Sequence, residues 1–392
     1  MSLNGSPFQG EGGIYVHTPF CRNKCLYCDF YTGGLRIADW EKFVAALENE
    51  IGLRKSEIDF RPSTLYLGGG TPSLIPVQNF SNLISIIEKE TGVGHWKEFS
   101  LEVNPEDVTE EKIEVWKEAG VNRISMGVQS FNDRELALIG RQHDARKAET
   151  AFKLLKSCFS NVSVDIMFGI PGQTVESYRN SLEKVLELGP SHISSYSLML
   201  EEGTAMTHLV NKNKIPLPLE YDWLQMFELT TTFLPESGYE RYEISNYSLP
   251  GKESRHNLSY WEGKPYLGLG PGAHSYDGRN TRRANKNDIK GYLKHFSSLP
   301  NHPDPDRRPH FYEEEKLSEI ELREEMIMTR LRNVKGLDLR EFESQFGKHQ
   351  TERLMHSVQK FIKTGEMKAT PSHVSFTSKG FLLSDSILSY LI

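Results

Sequence analysis

The chain alternates short runs of apolar, strand-forming residues with longer stretches in which apolar residues recur at helical spacing. The apolar runs predict six strands, at 13–18, 64–67, 99–103, 123–128, 162–168 and 192–200. The stretches between them predict helices at 38–54, 77–90, 109–119, 144–159 and 175–188. Repeated strand–helix units with short connections are typical of a parallel sheet with its helices outside. Six units predict an α/β fold, a partial (β/α)6 barrel of the TIM type.

The regular alternation is lost after residue 200. A helix is predicted at 221–235, and residues 241–309 are expected to form an irregular extension that ends in a proline-rich linker. Helices at 313–331, 339–346 and 351–364, a β-hairpin within 367–377 and a closing helix at 378–392 together predict a winged-helix-like α+β module. The predicted division is therefore a flexible N-terminus (1–12), the barrel (13–240), the extension (241–309) and the C-terminal module (310–392).

The cysteines mark the first candidate for chemistry. Three of the four, Cys21, Cys25 and Cys28, fall within eight residues, just after the first predicted strand. Thiolates so close together can converge on one soft metal centre, and three thiolates on a four-iron cluster leave one iron open for another ligand. A structural zinc site, with His17 or Cys158 as the fourth ligand, and redox-active thiols satisfy the same spacing. Spacing alone leaves these alternatives open.

The surrounding motifs favour the iron–sulfur cluster. The C-x3-C-x2-C spacing resembles the signature of the radical S-adenosylmethionine (SAM) superfamily. The segments HTPFC at 17–21, CDF at 28–30, GGGTPS at 68–73 and DIMFGIPGQT at 165–174 resemble the oxygen-independent coproporphyrinogen III oxidase group, and within it the HemW-type heme chaperones. The resemblance implies a radical SAM barrel and a [4Fe–4S] cluster held by the three cysteines. It also implies SAM on the open iron.

The same resemblance implies a set of SAM-binding residues. They lie on the strands or in the loops that follow them, and they are Tyr15, Tyr27, Gly69, Gly70, Thr71, Glu102, Gln129, Arg141 and Asp165. The last three match positions that hold a second SAM in the oxidase. The residues themselves add two arguments. A glycine run after a strand lets backbone groups approach a ligand. Glu102 and Asp165 lie in apolar strands, where an unpaired charge is costly, so each needs a ligand or a buried partner. A helix-capping role or an ion pair with Arg123 would serve equally well.

The segment HNLSYW at 256–261 is a candidate heme site. It resembles the H-N-x-x-Y-W heme-binding motif of the chaperones, and the resemblance implies that His256, Asn257, Tyr260 and Trp261 contact heme. An imidazole can ligate heme iron, and aromatic faces can pack on the macrocycle. The alternative is a hydrogen-bonded histidine in a loop with Trp261 as a packing anchor. The glycine-rich run from 268 to His274 predicts a turn near the cluster, because it lacks the strand–helix frame of a nucleotide loop.

Composition narrows the possible partners. The 392 residues carry a net charge of −7, which disfavours nucleic acid as a partner. No apolar run is long enough to span a membrane, and residues 1–6 do not resemble a signal peptide, although peripheral membrane contact stays open. Scarce cysteines and an oxygen-sensitive cluster predict a cytoplasmic location. The resemblance implies heme, apo-hemoprotein recipients and an electron donor for the cluster as partners.

The predicted function is that of a heme chaperone, which binds heme and passes it to apo-proteins. Two alternatives are an oxygen-independent coproporphyrinogen III oxidase and a binding module with a purely structural metal site. The oxidase pattern carries a further cysteine two residues after the last cluster ligand, where this chain has Phe30. This departure disfavours the oxidase. The sequence leaves open whether the chain is an enzyme.

Overall fold

The computed structural model describes residues 10–34, 39–297 and 311–392. Within those ranges the strands are β1 Glu11–Thr18, β2 Phe20–Cys21, β3 Gly33–Gly34, β4 Arg61–Gly69, β5 Glu98–Val103, β6 Arg123–Gln129, β7 Val162–Phe168, β8 His192–Ser197, β9 Glu240–Arg241, β10 Asn246–Ser248, β11 Tyr266–Leu269, β12 His274–Tyr276, β13 Thr281–Asn285, β14 Tyr312–Lys316, β15 Leu337–Asp338, β16 Met367–Ala369 and β17 His373–Phe376.

The helices lie between and beyond these strands. They are α1 Trp40–Arg54, α2 Val77–Thr91, α3 Glu110–Glu118, α4 Asp133–Leu138, α5 Ala145–Cys158, α6 Val175–Leu188, α7 Ala205–Asn211, α8 Glu220–Glu236, α9 Arg255–Trp261, α10 Ile289–Ser297, α11 Glu319–Leu331, α12 Leu339–Phe346, α13 Lys348–Thr364, α14 Ser378–Leu382 and α15 Ser384–Leu391. None of these helices is both long enough and apolar enough to cross a membrane.

Six parallel strands form the centre of the molecule. They neighbour one another in the order β1-β4-β5-β6-β7-β8, and helices α1, α2, α3, α5 and α6 connect them. The side chains of Ile14, Val16, Leu65 and Leu67 are fully buried in the main core, as continuous apolar runs in a parallel sheet require. The α/β class and the six-unit barrel predicted from the pattern are therefore confirmed.

The register of the first two strands positions the cysteine loop. Residues 17 and 18 at the carboxyl end of β1 lie opposite Gly68 and Gly69 of β4. The cysteine loop follows β1, and the glycine run ends β4. Because the carboxyl ends of parallel strands meet at one edge of the barrel, both segments face the same opening, where sites of this architecture lie.

The region expected to be irregular has regular structure. Strand β11 pairs in parallel with β1 on the side opposite β4, and β12, β13 and β14 continue the sheet as antiparallel strands. Helices α9 and α10 lie in the same region. Its strands contain only three to five residues and mix aromatic with charged side chains, so no apolar periodicity marks them. Strand β14, Tyr312–Lys316, includes residues 313–316, which were expected to begin the helix at 313–331.

The C-terminal part has its own core. Leu331, Phe342, Val358, Val374 and their neighbours form a second buried cluster between α11–α15 and a three-stranded sheet, with strand order β15-β17-β16. Helices followed by a β-hairpin agree with the predicted winged-helix-like arrangement. The boundaries at residues 240 and 309 stay a prediction. Residues 1–9 of the predicted flexible N-terminus and the proline-rich linker lie outside the described residues, whereas residues 11 and 12 belong to β1.

Candidate functional site

The cysteine loop is fixed to the barrel at its middle. Leu26 donates its backbone N–H to the Ile139 carbonyl (3.1 Å), and its own carbonyl accepts from Met206 N (2.8 Å). These bonds attach the loop to the residue that follows α4 and to the first turn of α7. All four cysteines are free thiols, and the three loop cysteines are half-buried.

Two polar side chains reach the cysteine sulfurs. Thr71 Oγ1 lies 3.3 Å from Cys21 Sγ, and Arg141 Nη1 lies 3.6 Å from Cys25 Sγ. Burial raises the pKa of the Cys21 thiol, and it raises the pKa of Cys28 to about 11. A thiol must lose its proton to bind metal, so the positive charge of a bound metal has to offset this burial.

A cavity of about 370 Å³ opens over the three cysteines at the carboxyl ends of β4–β8. Of the nine SAM-binding residues implied by the resemblance, eight line it: Tyr27, Gly69, Gly70, Thr71, Glu102, Gln129, Arg141 and Asp165. The ninth, Tyr15, lies in a neighbouring cavity, where its hydroxyl is 3.1 Å from His17 Nδ1. The structure thus gathers residues from five strands around the cysteines.

The glycine run is packed closely against the cysteine loop. A Cβ atom on Gly70 would lie 2.7 Å from the Thr18 carbonyl oxygen and 2.8 Å from that of Phe20. Gly69 has a φ of +102°, which side-chain-bearing residues rarely adopt. Both positions therefore require glycine for backbone geometry, independently of any ligand.

Glu102 is a buried carboxylic acid on the cavity wall. It accepts hydrogen bonds from Tyr66 Oη (2.7 Å) and from Gly69 N (3.2 Å). Burial raises its pKa to about 7, partly offset by the Tyr66 bond, and the nearby Asp165 raises it further. Near neutral pH this group therefore exchanges a proton readily.

Asp165 is held by hydroxyl groups. Ser125 Oγ lies 3.0 and 3.1 Å from its two oxygens, and burial raises its pKa. The alternative of a direct ion pair with Arg123 is not realised, because Arg123 Nη1 donates instead to Asn161 and to the Lys252 carbonyl.

Gln129 lies on a distortion of β6, to which Arg141, from the segment between α4 and α5, is hydrogen-bonded. The pairing of β6 with β7 shifts register between Gly127 and Gln129, and Gln129 has a φ of +71°. Such a conformation costs about 1–3 kcal/mol and is found mostly at binding and active sites. Arg141 Nη2 donates to Asn104 Oδ1 (2.8 Å) and to the Gly127 carbonyl. Its Nε is buried without a partner in the described part of the chain.

The two proposed fourth ligands of a zinc site lie elsewhere. His17 lies in the neighbouring cavity, where its Nε2 is 3.0 Å from the Tyr31 carbonyl oxygen. Cys158 ends helix α5 and packs against the main core. Across residues 10–34, 39–297 and 311–392, no group of three or more His, Cys, Asp or Glu side chains converges for binding a single metal ion.

The histidine of the HNLSYW segment lies in the core. His256 is fully buried, with Nδ1 2.7 Å from Thr64 Oγ1 and Nε2 2.8 Å from the Tyr260 hydroxyl. Burial lowers its pKa to about 3, and its ring stacks on Tyr66 at 5.1 Å. In this conformation neither ring nitrogen is free to bind iron. The structure therefore agrees with the alternative of a hydrogen-bonded histidine, except that the segment is a helix, α9, and not a loop.

Tyr260 and Trp261 from the same segment line a second cavity, of about 530 Å³, which neither His256 nor Asn257 lines. The other residues that line this cavity come from two distant parts of the chain, 15–31 and 263–329: Tyr15, His17, Asp29, Phe30, Tyr31, Gly263, Lys264, Tyr266, Gly272, His274, Tyr276, Arg282, Asn287, Glu325 and Thr329. Phe30 also lines the cysteine cavity and is 60% exposed. The two cavities are thus neighbours, separated at this side chain.

Sequence reasoning missed most of the second cavity. Tyr266, His274, Tyr276 and Arg282 lie on β11–β13, strands too short to be recognised from the pattern. The available signal was the density of aromatic, glycine and histidine residues between 256 and 276.

Comparison with known proteins identifies the class to which this protein belongs. Residues 15–185 match the model of the radical SAM superfamily, and residues 317–383 match the HemN C-terminal domain. The structure superposes on coproporphyrinogen III oxidase (HemN) from Escherichia coli, a radical SAM enzyme, with a TM-score of 0.83 over 99% of this chain and 91% of that one, at 23% identity. The fold and the cysteine site therefore define a radical SAM protein.

The relatives then give the family. The heme chaperone HemW of Bacillus subtilis is 34% identical over 379 residues, which cover 95% of this chain and 97% of the relative. That of Lactococcus lactis is 33% identical over 381 residues, 97% of each chain. The chain belongs to the HemW heme chaperone family.

The cofactors of the radical SAM class are a [4Fe–4S] cluster and SAM, and the residues present fit both. Three thiols on one loop provide the soft ligands, and the cavity above them offers glycine backbone, two carboxyl groups and a buried guanidinium. When bound, this pair supplies one-electron reductive cleavage of SAM. The chain's own residues would bind and orient: Thr71 and Arg141 contact the sulfurs of Cys21 and Cys25 and would hold the thiolates, and Glu102 would hold or release a proton.

Proposed function

We propose that this protein is a heme carrier, which binds one heme in the second cavity and hands it to apo-hemoproteins. Membership of the HemW family supports the proposal. The structural observation that carries it is the second cavity itself, which is large, lined by aromatic rings and open at one side. Pockets for small ligands commonly measure about 300–1,000 Å³, and this cavity, at about 530 Å³, lies within that range.

We propose that the cysteine cavity holds the cluster and SAM. Cys21, Cys25 and Cys28 bind iron, and the cavity-lining residues named above bind SAM. Support comes from their placement: all of them line one cavity at the barrel opening, and the strained Gln129 and the unpartnered Arg141 Nε are features typical of a ligand site. Tyr15 lies outside this cavity and contributes to the site through its contacts with His17 and Tyr66.

We propose an electron donor as a further partner, which approaches the cluster beside Asn23 and Lys24. Both are exposed and both line the cysteine cavity. We also propose the cytoplasm as the location. Four free cysteines support it, because reduced thiols persist where the redox environment is reducing.

A heme titration followed by a transfer assay tests the carrier function. Reconstituted protein titrated with hemin should show a saturable Soret change at about one heme per chain. Mixing the loaded protein with an apo-hemoprotein, followed by separation, should move heme to the recipient faster than buffer alone does. Binding that rises without saturation, or heme that never leaves, would contradict the proposal.

The oxidase alternative is tested with the same preparation. Under strong reductant with SAM, we expect no vinyl product from coproporphyrinogen III, because Phe30 stands where the oxidase pattern has a cysteine. The superposition on HemN shows a shared fold and leaves this chemistry open. Steady product formation, even at about one turnover per minute and thus far below typical enzyme rates, would favour the oxidase.

A further inference from the structure

The walls of the second cavity suit a flat aromatic ligand. Tyr260 and Tyr266 meet edge to face at 4.6 Å, and Trp261, Tyr276 and Tyr31 complete an aromatic lining. These rings come from α9, β11, β12 and the cysteine loop, so the cavity is assembled from segments far apart in the chain. Aromatic faces and edges of this kind pack favourably against a conjugated macrocycle.

Three imidazoles lie in or beside this cavity, and two of them are already fully hydrogen-bonded. His256 uses both nitrogens, on Thr64 and Tyr260. His17 uses Nδ1 on the Tyr15 hydroxyl and Nε2 on the Tyr31 carbonyl.

His274 is the third imidazole. It is exposed at the cavity, and its ring makes no hydrogen bond within the described residues. Desolvation by the surrounding cavity wall lowers the pKa of the ring, and the nearby Arg282 lowers it further, so both effects favour the neutral form. A neutral imidazole with a free nitrogen is what heme iron binds.

The charged groups of the cavity suit a ligand that carries two carboxylates on one edge. Arg282 lines the wall and pairs with Glu325, and Lys264 pairs with Glu262 at 2.6 Å. A guanidinium carries five N–H donors, and an ammonium carries three. Each can therefore keep its present partner and also donate to a further carboxylate. Asp29 and Glu325 also line the cavity and would repel a carboxylate placed next to them.

From these observations we infer that His274 is the axial heme ligand and that Arg282 and Lys264 receive the two propionates. The inference rests on the proposed carrier function and deepens it. It moves the iron ligand from the HNLSYW segment to β12. His256 then acts as a positioning residue: its Nε2 holds the hydroxyl of Tyr260, whose ring forms the cavity wall.

The test compares four proteins in parallel hemin titrations with absorption and resonance Raman spectra: the parent, His274→Ala, His274→Gln and a control, His349→Ala. His349 is exposed on α13 in the C-terminal part. We expect the parent and the control to saturate with the same Soret band. Both His274 variants should lose the iron–imidazole signature and bind at least about tenfold more weakly. Added imidazole should restore the spectrum of His274→Ala.

The outcomes separate the two proposals. A parent that never saturates overturns the carrier function. A parent that saturates, together with His274 variants that retain its Soret band and affinity, overturns the ligand assignment alone. His256→Gln gives a second check: we expect weaker binding with an unchanged iron–imidazole signature, since the variant only displaces Tyr260. Loss of that signature in His256→Gln while both His274 variants keep it would return the ligand role to His256.

Discussion

At the scale of single residues, the cysteine loop makes the sharpest prediction. Replacing Cys21, Cys25 or Cys28 by Ala should abolish the cluster, since each removes one of three thiolate ligands. Anaerobic reconstitution followed by iron and sulfide analysis should give about four irons for the parent and far fewer for each variant. Cys158→Ala is the matched control and should keep the full content, because Cys158 lies on α5 against the core. Zinc without sulfide in the parent would contradict the assignment.

Glu102 should make SAM binding dependent on pH. With a pKa of about 7, its carboxyl is protonated at pH 6 and ionised at pH 8, and the anion is the form that attracts a cationic ligand. If only the ionised form binds, the ionised fraction rises from about 0.1 to about 0.9, so affinity should increase about tenfold over this range. Equilibrium binding of SAM at the two pH values measures the change.

Glu102→Gln provides the control for this pH dependence. The amide keeps the shape of the side chain and cannot titrate, so the slope that belongs to Glu102 should vanish. Any slope that remains in the variant belongs to SAM or to another residue. Equal slopes in the parent and in Glu102→Gln would refute the role of this carboxyl.

At the scale of elements, helix α1 is tied to the last part of the sheet through Glu50. This fully buried carboxylate accepts bonds from Arg54 (2.9 Å), Asn285 (2.6 Å), Gly270 N (2.8 Å) and Tyr292 (2.7 Å). The network joins α1 to the segments around β11, β13 and α10. It therefore supports the sheet region that carries His274.

Removing this carboxylate should destabilise the protein strongly. Among the described residues, Glu50→Ala leaves the buried Arg54 with Glu57 as its carboxylate partner, and breaking a buried ion pair typically costs about 3–5 kcal/mol. Urea denaturation should show the loss in the free energy of unfolding. Glu48→Ala, on the exposed face of the same helix, should change it by less than about 1 kcal/mol. Similar values for the two variants would mean that the network contributes little.

The elements also show what the sequence could and could not reveal. The six barrel strands were predictable because each is a short, largely buried segment that alternates with a helical pattern, and their observed bounds lie within about three residues of the prediction. Strands β11–β13 were not, because their short mixed segments carry no period. The partner of Glu50 at Asn285 is 235 residues away, so no local pattern could indicate it. The residues of the cysteine cavity were predictable from their motifs. The residues that line the second cavity are far apart in the sequence and come together only in the folded chain.

At the scale of the whole molecule, the two cavities should work separately. They share Phe30, but no cysteine lines the second cavity. Protein carrying Cys21→Ala should therefore bind about one heme per chain with the Soret band of the parent, although it has no cluster. Hemin titration of the cluster-free variant beside the reconstituted parent measures this. Loss of saturable heme binding in the variant would show that the cluster helps to hold the heme.

The residues that line the two cavities come from different parts of the chain, and this predicts the order in which the cavities form during folding. The cysteine cavity is complete with residues 21–196, whereas the second cavity needs residue 15 and residue 329 together. Its central pairing, β1 with β11, joins residues 15 and 268, and such distant contacts form late in folding. A ribosome also delivers the N-terminal segments first. We therefore expect the cysteine site to form on an unfinished chain, and the proposed heme site to form only once residue 329 has been added.

Pulsed hydrogen exchange during refolding gives this order a test. Backbone amides of β4–β7 should become protected before those of β11, and saturable heme binding should appear only with the second phase. Simultaneous protection of both groups would show that the sheet folds as one unit. If the order holds, a cell that runs short of heme still makes the iron–sulfur half of the protein first. Heme then binds only after the chain has been completed.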